Sequence, residues 1–438
     1  MYAVSEINTR RIIIYYFYTM PTVYFQTFGC QMNVADSDTI HQLLSQRGFV
    51  LSDSQQGSDL VIVNTCSVRE AAEKRARSRI TEFANKKSSG QKLWVTGCMA
   101  QRLGDALKEQ IRGVDLVIGA KQMERIGEVI DEALPRSENA PAVFSKNAVT
   151  DFVNVMRGCD NYCAYCIVPY VRGREQSVPY ELIEKAVNEK IAQGIKEITF
   201  LGQNVNSYNC EGLDFPDLLM KLAAINGLER IRFTTSHPKD CTEKLIDVIA
   251  SSNKFATHLH LPFQAGADRV LALMNRKYTS GHYRGLIEMI RKKIPAADVT
   301  SDILVGFPTE SAAEFKETIA LVNDVRFTTA FMFAYSPREG TGAAAMKEEI
   351  SKEEKQARLS ELITLQTEIT RSIYAESVGN SLEVLISGKQ EKRDEAWMGQ
   401  DRGCKRVLIS CASVEAGMIL KARVIKSSGM TLIAERIL

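Results

Sequence analysis

The stretch NVMRGCDNYCAYCIVPYVRGRE, residues 154–175, gathers three cysteines, Cys159, Cys163 and Cys166, within eight positions. Its first residues read as the end of a β-strand and the next element starts with polar residues, so the thiols lie in one loop. Clustered thiols in a chain without a convincing export signal are more often metal ligands or catalytic groups than disulfide partners. We therefore expect a metal centre in this loop.

The number of thiols limits the kind of metal centre. Structural zinc sites close with four ligands, and three Cys without a nearby His leave one position open. Iron–sulfur clusters also take Cys thiolates, usually four, so a cluster held by three leaves one iron free to bind another molecule. An open position is what a catalytic metal site needs and a structural site avoids.

The residues after this loop predict the architecture around it. Strand-like runs alternate with helical segments, which predicts a partial TIM-like barrel, (βα)6, with functional groups at the carboxyl ends of its strands. The strand candidates are residues 152–156, 197–201, 231–235, 256–261, 299–305 and 330–335. The polar residues at their predicted ends, which together describe one rim, are Gln203, Asn204, Ser236, His237, His260, Gln264, Asp302, Gly306 and Glu310.

An earlier zone, residues 22–134, shows the same alternation and predicts a parallel sheet covered by helices. Cys30, Cys66 and Cys98 each lie just past an apolar run. In open parallel sheets, ligands bind beyond the carboxyl ends of the strands, so these thiols can converge although they are far apart in sequence. The alternative is three buried structural cysteines, since free Cys is among the most buried residue types.

The last zone, from about residue 369, contains short β-rich runs with Gly turns, which predicts a small β-barrel. An amphipathic stretch before it predicts a helix that docks on the preceding domain. Basic loops on a small barrel suit RNA, although a charged loop that is only solvated is the alternative. The basic residues near the middle of this zone are Lys389, Lys392, Arg393, Arg402, Lys405 and Arg406.

Composition limits the remaining possibilities. The formal net charge of +2 is close to neutral, so contacts with nucleic acid depend on local basic patches. No run reaches the roughly 18 to 20 apolar residues of a membrane helix, and we expect no membrane association and a cytoplasmic location. We expect Met20 to be the true start, residues 1–19 an extension without function, and residues 135–150 a linker. The cysteines that match no ligand pattern, expected to be reduced free thiols, are Cys210, Cys241, Cys404 and Cys411.

The segment CDNYCAYC, in the first βα loop of a predicted partial barrel, resembles the CxxxCxxC signature of the radical S-adenosylmethionine (SAM) enzymes. Within that superfamily the chain is similar to the methylthiotransferases of the MiaB type, the tRNA 2-methylthio-N6-isopentenyladenosine (dimethylallyladenosine) synthases. The similarity runs from about residue 21 to the C-terminus. The segments that carry it are TFGCQMN, NTCSVREAAEKR, VTGCMAQR, RGCDNYCAYCIVPYVRGRE, LGQNVNSY, RIRFTTSHP, HLHLPFQAGADRVLALMNRKYT, SDILVGFPTE and YSPREGT.

The resemblance implies two [4Fe–4S] clusters and SAM as cofactors. The three cysteines of the loop would bind the radical SAM cluster, and SAM would chelate its open iron. Cys30, Cys66 and Cys98 would bind a second cluster, also with an open iron. No side chain is assigned as a catalytic acid or base, and the candidates for SAM or substrate contacts are Gln203, Asn204, Ser236, His260, Gln264, Asp302 and Gly306.

The implied reaction places a methylthio group on carbon 2 of isopentenyladenosine, next to the anticodon of tRNA. An unactivated aromatic C–H bond needs a radical, which the cofactor supplies. In the family's scheme one SAM methylates sulfur on the second cluster and another SAM yields a 5′-deoxyadenosyl radical. The implied protein is a monomer that takes electrons from a donor such as flavodoxin or ferredoxin and depends on a sulfur or cluster donor.

The resemblance also divides the chain. The expected fold is α/β, with an N-terminal parallel α/β domain, a radical SAM core built as a partial TIM-like (βα)6 barrel, and a small TRAM-like β-barrel that binds RNA. The expected boundaries are 1–19 for the extension, 21–135 for the methylthiotransferase N-terminal domain, 145–368 for the radical SAM core and 369–438 for the TRAM-like domain.

Two classes of alternative remain at this point. Sister methylthiotransferases act on threonylcarbamoyladenosine in tRNA or on an aspartate of a ribosomal protein. Asn204 favours the isopentenyladenosine type, since the ribosomal-protein type has Asp in the Gln-Asn position. The alternative from a different class is a non-enzymatic RNA-binding protein in which the cysteine loop forms part of a zinc site.

Overall fold

The structure of the chain is a computed structural model, and it describes residues 20–68, 70–134, 148–390, 396–411 and 413–437. The expected extension 1–19, residues 135–147 of the expected linker, and Lys392 and Arg393 lie outside the described residues. The chain divides into two compact units, residues 1–145 and 146–438. None of the helices in the described part is both long enough and apolar enough to cross a lipid bilayer.

The first unit contains a five-stranded sheet in the order β2-β1-β3-β4-β5, with every neighbouring pair parallel. This agrees with the sequence prediction and is one of the common orders of doubly wound sheets. Its strands are β1 Thr22–Thr27, β2 Val50–Leu51, β3 Leu60–Thr65, β4 Lys92–Gly97 and β5 Leu116–Gly119. Its helices are α1 Gln31–Ser45, α2 Glu70–Asn85, α3 Cys98–Leu103, α4 Ala106–Gln110 and α5 Ile126–Ala133, with a 3-10 helix at Ala120–Arg125.

Strand β3 is buried on both faces, as expected for a central strand of a parallel sheet. Because successive side chains point to opposite faces, Leu60 and Ile62 pack in one apolar cluster with residues of α1 and α5. Val61 and Val63 pack on the other side with residues of α2. Each fully buried aliphatic side chain contributes roughly 1.5–3 kcal/mol, which explains the continuous apolar run of this strand.

The second unit begins with two three-stranded parallel sheets, β6-β9-β12 and β13-β14-β15. A parallel bridge between Ile231 and Phe255 joins β12 to the segment before β13, so the six strands form a curved, partial barrel. The strands are β6 Thr150–Asn154, β9 Glu197–Leu201, β12 Arg230–Thr234, β13 His258–His260, β14 Asp298–Val305 and β15 Thr329–Ala334. The predicted (βα)6 architecture is confirmed.

Helices cover the outside of this barrel, and several begin with a side-chain cap that satisfies a free backbone N–H and contributes about 1 kcal/mol. The capping residues are Asp214, Thr242, Thr279, Ser311 and Ser351. The helices are α6 Val168–Arg172, α7 Tyr180–Ala192, α8 Phe215–Ala223, α9 Glu243–Ser251, α10 Asp268–Leu273, α11 Ser280–Lys293, α12 Ala312–Val325 and α13 Lys352–Glu376. The short strands are β7 Met156–Arg157, β8 Gln176–Ser177, β10 Asn209–Cys210 and β11 Leu213–Asp214, and 3-10 turns occur at Val205–Ser207, Pro238–Asp240 and Gly342–Ala345.

Helix α13 is the docking helix that the amphipathic pattern predicts. Leu362 and Ile369 are buried in the main apolar core of the second unit. Arg358 is buried as well, and it donates a hydrogen bond of 2.9 Å to the carboxylate of Glu310. The helix continues to Glu376 and therefore crosses the expected domain boundary at residue 369.

The chain ends in a closed five-stranded barrel in the order β16-β17-β18-β20-β19, as predicted. Residues of β19 alternate between the barrel interior and its exterior, so Ala422 and Val424 are buried while Lys421 and Arg423 are exposed. The strands are β16 Ser381–Lys389, β17 Ala396–Asp401, β18 Arg406–Ser410, β19 Ile419–Ser428 and β20 Thr431–Arg436.

The turn between β17 and β18, residues 401–405, packs against the amino end of the partial barrel; we call it the core-facing turn. Arg232, near the start of β12, donates hydrogen bonds to the carbonyl oxygens of Asp401 at 2.6 Å and Arg402 at 3.1 Å. The backbone N–H of Thr257 donates to the Arg402 carbonyl at 3.0 Å. These contacts fix the small barrel on the end opposite to the carboxyl ends of the parallel strands.

This packing changes the interpretation of two predicted RNA-binding cations. The buried ammonium group of Lys405 pairs with Asp298, and the Arg402 guanidinium donates to the Phe255 carbonyl at 2.7 Å. The sequence predicts Lys405 and Arg402 as members of a basic loop that binds RNA. In the structure both contact the partial barrel, because this loop docks the C-terminal barrel onto it. Arg406 is exposed.

Candidate functional site

The cysteine loop, defined as residues 158–174, follows β7 at the carboxyl end of β6. Two glycines shape its base. The N–H of Cys159 donates to the carbonyl of Gly173 at 3.3 Å, and Gly158 has φ +75°. A Cβ atom at Gly158 would overlap the carbonyl oxygen of Arg174, so only glycine lets the two ends of the loop meet here.

The three thiols share this loop with few polar groups directed at them. Cys159 and Cys163 are buried, whereas Cys166 keeps part of its surface accessible. The N–H of Cys166 donates to the carbonyl of Cys163 at 2.9 Å, which forms a tight turn between the two residues. The Asn161 amide donates to the sulfur of Cys159 at 3.4 Å.

A segment just after α10 holds the cysteine loop in place. The carbonyl of Met274 accepts a hydrogen bond of 2.9 Å from the N–H of Ala164. The side-chain amide of Asn275 donates to the carbonyl oxygens of Asn161 at 3.2 Å and Tyr162 at 2.9 Å. The loop conformation is therefore set by contacts to a distant part of the sequence and not only by its own residues.

Arg276, the next residue of that segment, reaches a thiol directly. It is buried, and its Nη1 donates to the sulfur of Cys163 at 3.5 Å. Its other donors contact the carbonyl of Pro262 at 2.7 Å and the hydroxyl of Tyr278 at 3.2 Å. Within the described residues, no carboxylate lies within ion-pair distance of this guanidinium.

Burial dominates the electrostatics of two of these thiols, those of Cys159 and Cys166. It raises the pKa of Cys159, and burial together with the neighbouring Cys163 raises the pKa of Cys166 to about 12. For Arg276, burial favours a lower pKa, but Tyr278, Tyr165 and Cys163 raise the pKa above its ordinary value once they are ionised, so the guanidinium stays charged. Burial thus disfavours the bare thiolates of Cys159 and Cys166, and binding of a metal group to these thiols releases protons.

The aromatic residues of the loop divide into two types. Tyr165 packs against an apolar cluster that contains Phe307 and Tyr335, which makes it a core residue. Tyr162 is 43 % exposed and meets Tyr170 edge to face with ring centroids 6.1 Å apart. Tyr162 therefore leaves an aromatic surface open beside the thiols.

Most of the predicted rim residues lie at or just beyond the carboxyl ends of the barrel strands, whereas Asp302 lies within β14. Two pairs meet across neighbouring strands. Asn204, beyond β9, donates through its amide to Asp240, beyond β12, at 2.7 Å. His260, at the end of β13, shares a hydrogen bond of 3.0 Å with Thr300 through Nδ1, and its Nε2 lies 3.7 Å from Asp302.

Two other rim candidates are engaged in the backbone structure. Gln264 has φ +72°, and its N–H donates to the carbonyl of Asp302 at 3.0 Å, so the residue extends the sheet beside β14. The N–H of Gly306 donates to Glu310 at 2.7 Å, and a side chain at Gly306 would meet Lys355 of α13. Gly306 thus allows α13 to approach the strand end.

Several buried polar atoms at this rim have no hydrogen-bond partner among the described residues: Gln203 Oε1, Asn204 Oδ1, both side-chain polar atoms of Asn206, and His237 Nε2. Burial and the nearby Arg276 lower the pKa of His237 to about 2, so this imidazole is neutral. Ser236 is buried beside it, after β12. Buried polar atoms without partners are costly, so the rim has the unsatisfied groups that a polar cofactor or substrate can bind.

The cysteines of the first unit occupy equivalent places on three adjacent strands. Cys30 caps α1 just beyond β1, Cys66 follows β3 directly, and Cys98 begins α3 directly after β4. Strands β1 and β3 are neighbours at the point where the strand order reverses, which is the usual ligand position in such sheets. Cys30 is exposed and the other two are buried.

Two glycines allow the strand ends to approach one another at Cys66. Gly29 has φ +120°, and a Cβ atom placed there would lie 2.7 Å from the Cβ of Cys66. Gly97 has φ +98°, and a Cβ atom there would overlap the carbonyl oxygen of Thr65. Cys66 is therefore flanked closely by the backbone next to both other cysteines.

In the described ranges, no three His, Cys, Asp or Glu side chains form a group that could hold a single metal ion. At both places three cysteine thiols lie beyond strand ends, and the segments that carry them contain no His. Thiolate-only ligation with one position left open is the pattern of an iron–sulfur cluster that binds an additional molecule. The residues present at both places fit that group.

Two residues of the site, Asn275 and Arg276, were not predicted from the sequence. Both belong to the segment HLHLPFQAGADRVLALMNRKYT, but their partners lie 113 or 114 positions away in the chain. The only local signal is a polar Asn-Arg pair immediately after an apolar helix. That signal does not indicate which loop the pair contacts.

The chain is similar to two known families and to several known proteins. Residues 22–119 match the family described as uncharacterized protein family UPF0004, and residues 153–322 match the radical SAM superfamily. A tRNA-2-methylthio-N(6)-dimethylallyladenosine synthase of Chloroherpeton thalassium is 39 % identical over 94 % of this chain and 95 % of that protein. The protein of the same name from Geobacter sulfurreducens is 43 % identical over 86 % of this chain and 88 % of its own length.

Solved structures show similarity of fold. The radical SAM methyltransferase TsrM of Kitasatospora setae, with cobalamin and a [4Fe–4S] cluster bound, has a TM-score of 0.55 and 15 % identity over 74 % of this chain and 77 % of that chain. A second structure of that enzyme, with tryptophan and a SAM analogue, has a TM-score of 0.53 and 14 % identity over 71 % and 72 %.

Proposed function

Since the chain belongs to the family of tRNA-2-methylthio-N(6)-dimethylallyladenosine synthases and is a radical SAM enzyme, we propose that it places a methylthio group on carbon 2 of N6-(dimethylallyl)adenosine next to the anticodon of tRNA. The observation that carries this proposal is the cysteine loop. It holds three thiols at the carboxyl end of a parallel barrel, where barrel enzymes bind their substrates.

Cys159, Cys163 and Cys166 would hold the radical SAM [4Fe–4S] cluster, and Cys30, Cys66 and Cys98 would hold a second one in the first unit. With SAM bound, the first cluster would supply the electron that cleaves SAM and the second would supply the sulfur, with two SAM molecules used per product. The support for this assignment is the same thiol-only donor set at the same kind of strand end in both units.

The rim would bind SAM and the substrate base. Gln203, Asn204 and His237 offer buried polar atoms that lack partners among the described residues, which suits a ligand with several polar groups. Ser236, His260, Gln264, Asp302 and Gly306 complete the set of candidates, but Gly306 has its N–H already engaged. The neutral state of His237 fits a hydrogen-bonding role and not a charged contact.

The C-terminal barrel would bind the tRNA through the cations that remain exposed. Lys421 and Arg423 on β19 and Arg406 on β18 point away from the barrel interior. Contacts with phosphates supply most of the affinity of such sites without sequence specificity. We propose a cytoplasmic, monomeric enzyme that takes electrons from a flavodoxin- or ferredoxin-like donor and sulfur from a separate donor.

A direct test uses the full chain, reconstituted anaerobically with iron and sulfide and supplied with dithionite and SAM. Three substrates are compared: tRNA with isopentenyladenosine, tRNA with threonylcarbamoyladenosine, and a ribosomal protein with the target aspartate. Digested products are read by mass spectrometry together with 5′-deoxyadenosine. We expect a methylthio adduct only on isopentenyladenosine.

Each other outcome has a distinct meaning. 5′-Deoxyadenosine with an adduct on another substrate would assign the chain to a sister methylthiotransferase. 5′-Deoxyadenosine without any adduct would leave the radical core and remove the proposed substrate. A protein that binds zinc, has no acid-labile sulfide and cleaves no SAM would contradict the proposal and support the zinc-site alternative.

A further inference from the structure

Arg276 is a buried cation whose hydrogen-bond partners in the described structure are all formally neutral when the thiols are protonated. These partners are the Pro262 carbonyl, the Tyr278 hydroxyl and the Cys163 sulfur. Burying an ionised group is expensive unless an opposite charge is close. The residue therefore carries a charge that the protein alone does not neutralise.

Other buried arginines of the chain show how this charge is ordinarily neutralised. Arg358 is paired with Glu310 at 2.9 Å, and Arg232 lies 2.9 Å from Glu197. Arg276 differs because its Nη1 is directed at a sulfur that becomes a thiolate when Cys163 binds metal. The missing anion would thus arrive with the cluster.

We propose that Arg276 is a positioning residue for the cluster of the cysteine loop: it supplies the counter-charge and a hydrogen bond to the sulfur of Cys163, and thereby sets the reduction potential of that cluster. The inference rests on the function proposed above, since it requires a cluster at these thiols. One-electron reduction adds a negative charge to the cluster, and a nearby cation stabilises the more negative state. Hydrogen bonds to cluster sulfurs and burial are known determinants of the potential of such clusters.

Two neighbouring residues keep this contact in place. Tyr278 binds both Arg276 and the Phe263 carbonyl, the latter at 2.7 Å, which restricts the guanidinium. Asn275 fixes the loop that carries Cys163. The Asn-Arg pair therefore acts in two ways, since Asn275 holds the loop backbone and Arg276 contacts the thiol.

The first test compares Arg276→Met, which has a similar volume and no charge, with wild type in cluster-free and reconstituted protein. We expect the thermal midpoint of the cluster-free protein to rise, because a buried unpaired charge is removed, and the gain on cluster loading to shrink. A purely structural arginine would instead lower both midpoints alike, and that result, or failure of the variant to fold even without cluster, would overturn the proposal.

The second test is a redox titration of the full reconstituted protein, followed by electron paramagnetic resonance of the signal that responds to SAM. We expect Arg276→Met to make reduction at least tenfold less favourable, which is a fall of about 59 mV for a one-electron couple. Arg276→Lys, which keeps a charge but loses the planar fork, should fall between wild type and Arg276→Met. An unchanged potential in Arg276→Met would contradict the proposal.

The matched control is Arg269→Gln, which removes an exposed arginine of nearby α10 that pairs with Glu314 of α12. It should leave the potential unchanged. Wild-type protein that loads a cluster but forms no methylthio product would refute the proposed function without affecting these measurements. Wild-type protein that loads no cluster at the cysteine loop would overturn both.

Discussion

The two ends of the partial barrel both bury cationic side chains but neutralise them differently. At the amino end, Arg232 lies 2.9 Å from Glu197, an ion pair without the alignment of a straight hydrogen bond, and Arg230 donates to Glu383 at 2.9 Å. At the carboxyl end, Arg276 has no carboxylate within ion-pair distance in the described ranges. The two arginines of the amino end therefore have carboxylate partners in the folded chain, whereas Arg276 at the carboxyl end still requires an anionic partner.

This difference indicates that the amino end of the barrel has a structural role and the carboxyl end a role in the chemistry. The amino end uses its charges to attach the C-terminal barrel, through the core-facing turn. The carboxyl end leaves thiols and polar atoms available at the rim. Substitutions at the amino end should consequently affect docking and stability, and substitutions at the carboxyl end should affect cofactor content and turnover.

The largest expected effect is the loss of a thiol at the carboxyl end. Cys163→Ala should abolish SAM cleavage and remove roughly half of the reconstituted iron, because one of two clusters loses a ligand. Iron and sulfide content and 5′-deoxyadenosine formation are the measurements. Cys411→Ala, in the C-terminal barrel, is the matched control and should retain both. Full iron content with SAM cleavage in Cys163→Ala would show that this loop does not hold the cluster.

A thiol of the first unit should give a different loss. Cys66→Ala should also lose roughly half of the iron, but it should still cleave SAM because the cysteine loop is intact. Methylthio product should disappear. If Cys66→Ala instead stopped SAM cleavage and Cys163→Ala did not, the assignment of the two clusters would be reversed.

The next effect is at the amino end, where Asp298 binds Lys405 and accepts a hydrogen bond of 2.7 Å from the Thr328 hydroxyl. Asp298→Ala leaves the buried ammonium group of Lys405 with only the longer contact of 3.7 Å to Asp401, so the stability of the docked turn should fall by up to about 3–5 kcal/mol. Hydrogen exchange of peptides from β17 and β18 measures this, and the cluster content should stay at the wild-type level.

Two further variants serve as controls for the Asp298→Ala experiment. Glu361→Gln breaks an exposed pair with Lys316 and should cost no more than about 1 kcal/mol. Adding Lys405→Met to Asp298→Ala removes the ammonium group that has lost its shorter ion pair and should restore much of the protection, since replacing both partners of a buried pair is often close to neutral. Cluster loss in Asp298→Ala, with docking unchanged, would contradict the separation of the two ends.

A smaller effect is expected from one glycine at each end. A Cβ atom at Gly403 would overlap the carboxylate of Asp298, and one at Gly158 would overlap the carbonyl of Arg174. Each Ala substitution should cost roughly 1–3 kcal/mol, the usual range for overpacking. Gly403→Ala should loosen the C-terminal barrel in hydrogen exchange, and Gly158→Ala should lower the iron retained at the cysteine loop. The opposite assignment of these two phenotypes would invalidate the comparison.

The next prediction concerns pH. Burial, with further contributions from Arg232 and Lys405, lowers the pKa of His258 to about 3, so the folded protein keeps this imidazole neutral. The unfolded chain takes up the proton near pH 6.5, and stability present above that pH is lost as pH falls towards 3, by about 1.4 kcal/mol per unit. His258→Gln should therefore lower the slope of the unfolding free energy against pH, measured by urea unfolding, by about one proton between pH 5.5 and 4.5.

The control for this prediction is His282→Gln, which removes an exposed histidine and should preserve the wild-type slope. An unchanged slope in His258→Gln would show that His258 is not held neutral by its surroundings. His258 lies at the start of β13, where cations of the amino end surround it, so the result also reports on the charge of that end.

Local sequence patterns predicted the elements of the barrel better than its contacts. The predicted strand 197–201 coincides with β9, and the six candidate cysteines lie at strand ends as expected, because hydrophobic alternation and strand termini are local properties. Arg276 was missed because its contact with Cys163 spans 113 positions and follows no period. Arg402 and Lys405 were misinterpreted because only docking decides whether a basic turn faces solvent.

The smallest expected effect tests this last point on RNA affinity. Lys421→Gln removes an exposed cation of β19, whereas Arg402→Gln removes one already committed to the Phe255 carbonyl. If Lys421 contacts a phosphate, its loss should reduce the slope of log affinity against log salt by about 1, and Arg402→Gln should leave that slope unchanged. Binding of isopentenylated tRNA between 50 and 200 mM salt provides the measurement. A reduced slope in Arg402→Gln alone would mean that the core-facing turn leaves the amino end of the partial barrel to bind RNA. The amino end would then not have a purely structural role.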